Sequence, residues 1–265
     1  MKKLVSLALI VMLSGVYSAV NAAPVGNIAQ PAIMKSLIIS GEGKTPIGII
    51  AAGEADIVFD RKIKDAYGDV EFNAYATKLG VTVADKATLY CLLGAANASQ
   101  ELTVLGSQVK WETDTSFLWG LGASVIAYES EIDGFGNGTL RVGGDIKYRR
   151  VEPDVDKIII DGTVYDIPNS AVTSASVEYG EFQVALGLSY QLGNFIPYAG
   201  VKFAALDGDQ KATVSGTAYE EDYEEDNSVG MFAGIDFMIT DSIALNFEGR
   251  FIDEEAISLG ATIRF

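Results

Sequence analysis

The segment AISLGATIRF, Ala256 to Phe265, alternates without a break. Its odd positions are Ile257, Leu259, Ala261, Ile263 and Phe265; its even positions are Ala256, Ser258, Gly260, Thr262 and Arg264. A β-strand sends successive side chains to opposite faces, so this segment carries one apolar face and one small or polar face. It finishes on an aromatic residue.

The same period runs backwards along the chain. Ile243, Leu245, Phe247, Gly249 and Phe251 oppose Ala244, Asn246, Glu248 and Arg250. Before them, Val229, Met231, Ala233, Ile235, Phe237 and Ile239 alternate with Gly230, Phe232, Gly234, Asp236 and Met238, and the turn Thr240-Asp241-Ser242 joins the two runs as a tight hairpin. Phe182 to Tyr190 and Phe195 to Phe203 form another pair about Leu192-Gly193-Asn194, and Phe117 to Val125 and Leu140 to Arg149 follow the rule as well. Less regular runs at 33–43, 47–60, 68–83, 86–97 and 101–112 bring the expectation to about twelve strands. An even number places both ends of the mature chain on the periplasmic side.

Which face meets water separates two all-β folds. A soluble sandwich hides its apolar faces and shows lysine-rich ones. Here the opposite faces hold glycine, serine and charges of both signs, strands run to about ten residues, and aromatics gather near strand ends, which suits lipid outside and a polar lumen. Hydrocarbon forces such a sheet to close, because an open edge leaves backbone groups unpaired at several kcal/mol each. The expected fold is therefore an antiparallel transmembrane β-barrel in a bacterial outer membrane. Pro197 is the local conflict in this pattern, tolerable near a turn and a barrel rim.

Residues 1–22 read as a secretory signal peptide: Lys2 and Lys3, an apolar run from Leu4 to Val20, then Val20-Asn21-Ala22 at the cleavage site. Cleavage is expected after Ala22, with Ala23 as the alternative, leaving 23–265 as one barrel domain. The formal charge of −17 becomes −19 once Lys2 and Lys3 leave, which disfavours a nucleic-acid partner. A single cysteine, Cys91, leaves no intrachain disulfide framework, and on its strand it reads as a small buried or lipid-facing residue.

Enzymatic chemistry finds little to work with. The chain has no histidine, which removes Ser-His-Asp hydrolysis and His-ligated zinc. Glu254 and Glu255 are read as solvated loop carboxylates. No metal site and no cofactor are implied.

With apolar faces outward, the inward set is Arg141, Asp145, Lys147, Arg149, Lys202, Asp236, Glu248, Arg250 and Arg264, the expected pore lining. Mixed charges in an aqueous lumen set which ions pass. Inward glycines suggest open space, although the same charges could instead pair across a narrow lumen and plug it. Two acidic stretches, about 152–170 and 207–226, are expected as external loops. The leading function is a pore for ions and small hydrophilic solutes; the alternative is a structural or adhesive envelope barrel with a closed lumen. Hydrated, unpaired lumen charges favour the first, and paired ones the second.

Five segments resemble the chlamydial major outer membrane porin family: PVGNIAQPAIM (Pro24 to Met34), DIVFDRKIK (Asp56 to Lys64), CLLGAAN (Cys91 to Asn97), VALGLSYQLGNFIPYAGVKF (Val184 to Phe203) and NFEGRFIDEEAISLGATIRF (Asn246 to Phe265). The resemblance implies a general porin of the outer membrane, a homotrimer in contact with outer-membrane lipid, with periplasmic termini. Two departures stand out: the chain is much shorter, and it lacks the many cysteines that cross-link those porins, only Cys91 matching.

Overall fold

The structure, a computed structural model, describes residues 23–35, 47–61, 69–104, 106–132, 138–169, 171–224 and 228–265. The expected signal peptide, 1–22, lies outside the described residues. One short helix, α1 (Gln30–Ile33), precedes β1 (Ile47–Arg61), β2 (Asp69–Val83), β3 (Ala87–Val104), β4 (Ser107–Thr113), β5 (Ser116–Ile132) and β6 (Gly138–Val151). Then come β7 (Val155–Ile160), β8 (Thr163–Asp166), β9 (Val172–Gln191), β10 (Phe195–Val214), β11 (Thr217–Glu224), β12 (Ser228–Thr240), β13 (Ile243–Phe251) and β14 (Glu254–Arg264).

Ten strands make the wall, in the order β2-β1-β14-β13-β12-β10-β9-β6-β5-β3, and β3 pairs back onto β2 to close it. Every pairing is antiparallel. The C-terminal strand sits between β1 and β13, with Leu259 beside Ala55 on one side and Phe247 on the other. The even number puts the start of β1 and the end of β14 at the same rim, as Ile50 pairs with Arg264.

One of the twelve expected strands is not a wall strand, and another lies mostly outside the described residues. The run at 33–43 begins in the final turn of α1 and continues beyond Lys35 outside the described residues. The run at 101–112 is the end of β3 folding back as β4, which leaves the wall to pair with β7. Alternation specifies a strand, but not whether its neighbours belong to the closed ring. The expected external loops are likewise built of strands: β7 and β8 form one hairpin, β10 and β11 another, both at the end opposite the termini. On the second hairpin Lys211 lies 3.2 Å from Glu220, whose hydrogen bond holds its ammonium pKa above the ordinary lysine range.

Side chains obey the expected sidedness. Leu89, Phe117, Leu121, Leu186, Phe195, Val229 and Leu259 all lie exposed on the outside, in a continuous apolar belt far too large for a water-soluble monomer. From Phe195 to Phe203 a tilted strand climbs about 20 Å, close to the height of a hydrocarbon core. Phe195 and Phe237 pack together at 5.1 Å between ring centroids near the terminal rim. Pro197 is outward-facing and lies just below Tyr198, the first residue of β10 to pair with β9, so its missing N–H costs little. Cys91 faces outward between Leu79 and Leu121.

The inside is filled. At the end away from the termini, Val109, Trp111, Ile158, Val172, Val177, Leu206 and Val214 pack with Phe72, Leu92 and Leu118 of the wall into one apolar layer. Inward glycines do not mark empty space, because neighbouring rings occupy it. A Cβ at Gly122 would sit 2.3 Å from Tyr90 Cζ, and one at Gly234 would sit 2.4 Å from Tyr198 Cζ. Replacing Gly122 by valine is therefore expected to displace Tyr90 and cost about 1–3 kcal/mol, read from urea unfolding of the refolded barrel in micelles. Valine at Gly53, where an added Cβ meets nothing within 4 Å, should leave the midpoint nearly unchanged.

Candidate functional site in the barrel lumen

All nine residues expected to line a pore point into the lumen and are buried. Each is hydrogen-bonded or ion-paired to another group of the protein. Arg149 donates to Glu181 at 2.7 Å and approaches Asp56 at 3.6 Å. Arg250 binds Asp56 at 2.5 Å and Glu254 at 2.7 Å, and lies 3.7 Å from Glu248. Lys202 bonds to Glu254 and approaches Asp253 at 3.0 Å. The result is one connected network linking β1, β6, β9, β10, β13 and β14 across the interior.

Nearer the terminal rim the network loosens. Arg141 donates to Gln191 at 2.9 Å and reaches the half-exposed Glu129 at 3.3 Å. Asp145 accepts the Tyr90 hydroxyl proton at 2.8 Å, with Lys147 3.7 Å away.

The remaining partners come from a segment that alternation did not place. Residues 23–34, Ala23 and the whole PVGNIAQPAIM stretch, run inside the barrel. The backbone N–H groups of Val25 and Gly26 donate to the two oxygens of Glu248 at 3.0 and 2.8 Å. Asn27 donates to Asp236 at 2.9 Å, and Asn246 holds the other Asp236 oxygen at 2.6 Å. Lys147 donates to the Pro24 carbonyl. Arg264 clamps the carbonyls of Pro31 and Met34, the latter at 2.5 Å, while also meeting Asp85 and, at 3.2 Å, Thr82. Pro31 in the first turn of α1 suits a helix start, where its missing N–H is not needed. Four expected lining residues, Lys147, Asp236, Glu248 and Arg264, thus hold the chain's own amino-terminal segment. Among the described residues, a cavity of about 60 Å³ remains alongside it, bordered by Glu54, Lys78, Tyr90, Asp145 and Ser258.

Several members of the network were within reach of the sequence. Glu181 precedes Phe182 and shares the inward parity of Gln183, and Glu254 shares that of Ala256. Glu254, expected on a solvated loop, is instead 2% exposed and bonded to Lys202 and Arg250, because β14 begins at this residue and its even face points inward.

A closed ring of antiparallel strands with an apolar exterior and a charged interior defines an outer-membrane β-barrel. Comparison with known proteins narrows this class. A model of the Chlamydia major outer membrane protein matches residues 165–215, the stretch from β8 to the β10–β11 turn. The major outer membrane porin of Chlamydia abortus is 26% identical over 79% of this chain and 76% of its own length. That of Chlamydia trachomatis serovar E is 22% identical over the full length of both. Among solved structures, the translocator domain of the autotransporter NalP from Neisseria meningitidis gives a TM-score of 0.42 at 9% identity, covering 84% of this chain and 89% of that one. Outer membrane protease OmpT from Escherichia coli gives 0.43 at 9% identity, covering 87% and 97%. At 22–26% identity, this chain is similar to the chlamydial major outer membrane porins.

The lumen network makes its charges interdependent. Replacing Arg250 by glutamine leaves Asp56 and Glu254 short of their main cation and is expected to cost about 3–5 kcal/mol. The same change at Arg150, on the partly exposed pair with Glu178, should cost at most about 1 kcal/mol. Denaturant midpoints of the two variants provide the comparison.

Proposed function

We propose that this protein is a porin of the bacterial outer membrane, passing ions and small hydrophilic solutes through the lumen. The observation that carries the reading is its relation to major outer membrane porins along the whole chain, together with a lipid-facing wall whose interior is lined by charge. An interior built only for packing would not need Arg141, Lys147, Arg149, Lys202, Arg250 and Arg264 all turned inward. These six, with Asp145, Asp236 and Glu248, form the proposed lining of the path. Removal of a signal peptide from 1–22 delivers the chain to the membrane, and three copies associate as a homotrimer. No catalytic role is proposed, in keeping with the absence of histidine from the chain.

The conformation described is a closed one. Residues 23–34 fill the terminal half of the lumen, and the apolar layer around Trp111 and Ile158 lies across the other end. That layer, together with the pairing of the lumen charges, favours a second reading, a structural envelope barrel with a permanently sealed interior. In the porin reading, withdrawal of the amino-terminal segment returns Lys147, Asp236, Glu248 and Arg264 to water.

Conductance separates the two. Refolded mature protein in a planar bilayer under a salt gradient is expected to show stepwise conductance. Lys147→Gln and Arg141→Gln should move the reversal potential toward greater cation preference. A heat-modifiable barrel that stays electrically silent would transfer the assignment to the structural reading.

A further inference from the structure

We infer that the lumen contains a docking site for a free amino terminus, formed around Glu181, and that its occupant is this chain's own mature end at Ala23. The site lies within the solute path proposed above and shares Arg149 with its lining, and its consequence for gating rests on that reading.

Three observations converge on Glu181. First, the Ala23 nitrogen lies 3.0 Å from Glu181 Oε1, while Glu181 Oε2 takes the Arg149 bond, so both carboxylate oxygens are engaged from opposite sides. Glu181 is fully buried and Ala23 is 1% exposed. Second, Glu181 belongs to a buried charge network in which Asp56, Glu248, Asp253 and Glu254 are knitted to Arg149, Lys202 and Arg250. Buried charge of one sign is expensive unless a counter-charge comes with it. Third, the sequence places the expected signal-peptidase cut directly before Ala23. Cleavage converts a neutral amide nitrogen into an α-ammonium 3.0 Å from the buried Glu181 carboxylate. A charge-assisted bond to carboxylate is roughly twice as strong as a neutral one.

The rest of the segment is seated by matching parts of the wall. Gly143 and Gly187 provide the room for Ile28: a Cβ at Gly143 would lie 2.7 Å from Ile28 Cγ2, and one at Gly187 would lie 3.2 Å from Ile28 Cδ1. At the rim, the Lys35 backbone N–H donates to the Asp241 carbonyl at 2.7 Å, its ammonium meets the Asp241 carboxylate at 2.7 Å, and the Ser242 hydroxyl donates to the Lys35 carbonyl at 2.9 Å. The segment is thus anchored at the rim and locked at its tip. Processing adds a full charge to this contact, so the segment is held more tightly in the mature chain than a neutral amide would hold it.

The test uses the full mature protein, refolded and checked for heat-modifiable migration. Its amino terminus is first identified by mass spectrometry, where Ala23 is expected and a start at Pro24 would overturn the site. Reaction of the α-amine with an amine-selective aldehyde near neutral pH is then followed in the folded barrel and in urea. The folded wild type should react at least tenfold more slowly than the unfolded chain. Glu181→Gln should lose most of that protection and Glu181→Asp retain it. A chain with one glycine added ahead of Ala23 should also lose protection; it leaves every wall residue intact, so it decides the matter if Glu181→Gln fails to fold. A wild-type amine as reactive folded as unfolded, or full protection with the added glycine, would overturn the proposal. Conductance is read in parallel on a chain lacking 23–34. Increased conductance there joins the docked segment to gating, whereas a protected amine with a silent deletion variant would uphold the docking site and sink the porin reading.

Discussion

Everything in this molecule depends on the inability of hydrocarbon to hydrogen-bond a peptide group. A backbone N–H or C=O left open in lipid costs several kcal/mol, so a sheet that enters the membrane must close on itself. Closure of ten strands then limits the interior to a narrow lumen, into which every second side chain must fit. The pairing of β3 with β2 and of β14 with β1 completes the ring. The burial of charge and the lodging of the amino-terminal segment both follow from it.

A narrow lumen with charge on its inner face has two ways to satisfy that charge, water or neighbouring side chains. Here the neighbours win. Arg149, Lys202 and Arg250 are shared among Asp56, Glu181, Glu248, Asp253 and Glu254, and such a network ties six wall strands together through the middle. Buried pairs of this kind contribute little net stability compared with apolar packing, yet they are costly to break. They favour one register of strands and one position of the amino-terminal segment. Glu248 takes the backbone N–H groups of Val25 and Gly26 while Arg250 lies 3.7 Å away.

The two ends of the lumen are closed in different ways. Segment 23–34 is held both by polar contacts and by apolar packing, Val25 and Ile28 on Tyr198 and Phe232 and Met34 on Ile196 and Met238, so its release must give up both. The layer containing Trp111, Ile158 and Leu206 is apolar and made from hairpins continuous with the wall. The glycine pockets are a third element of the same design. Tyr90 over Gly122 and Tyr198 over Gly234 put rings where an open channel would have space, and both hydroxyls join the polar network through Asp145 and Glu248.

Alternation alone was enough to make Ala256–Phe265 a strand with Arg264 inward and Leu259 outward, because the two-residue period of an extended chain is a local property. The same local rule gave the membrane location, the inward placement of all nine charged residues and the rim position of Pro197. It could have given Glu181 and Glu254, which keep the parity of their strands. It could not give the partners. Whether Arg250 meets Asp56 or water depends on where β1 falls beside β14, a contact between residues nearly two hundred positions apart. Nor could alternation reveal that 101–112 turns out of the wall, since ring membership is a property of pairing. PVGNIAQPAIM has no strand period, and only the closed lumen, with Glu181, Asp236 and Glu248 on its wall and its gap over Gly143 and Gly187, decides where that segment lies.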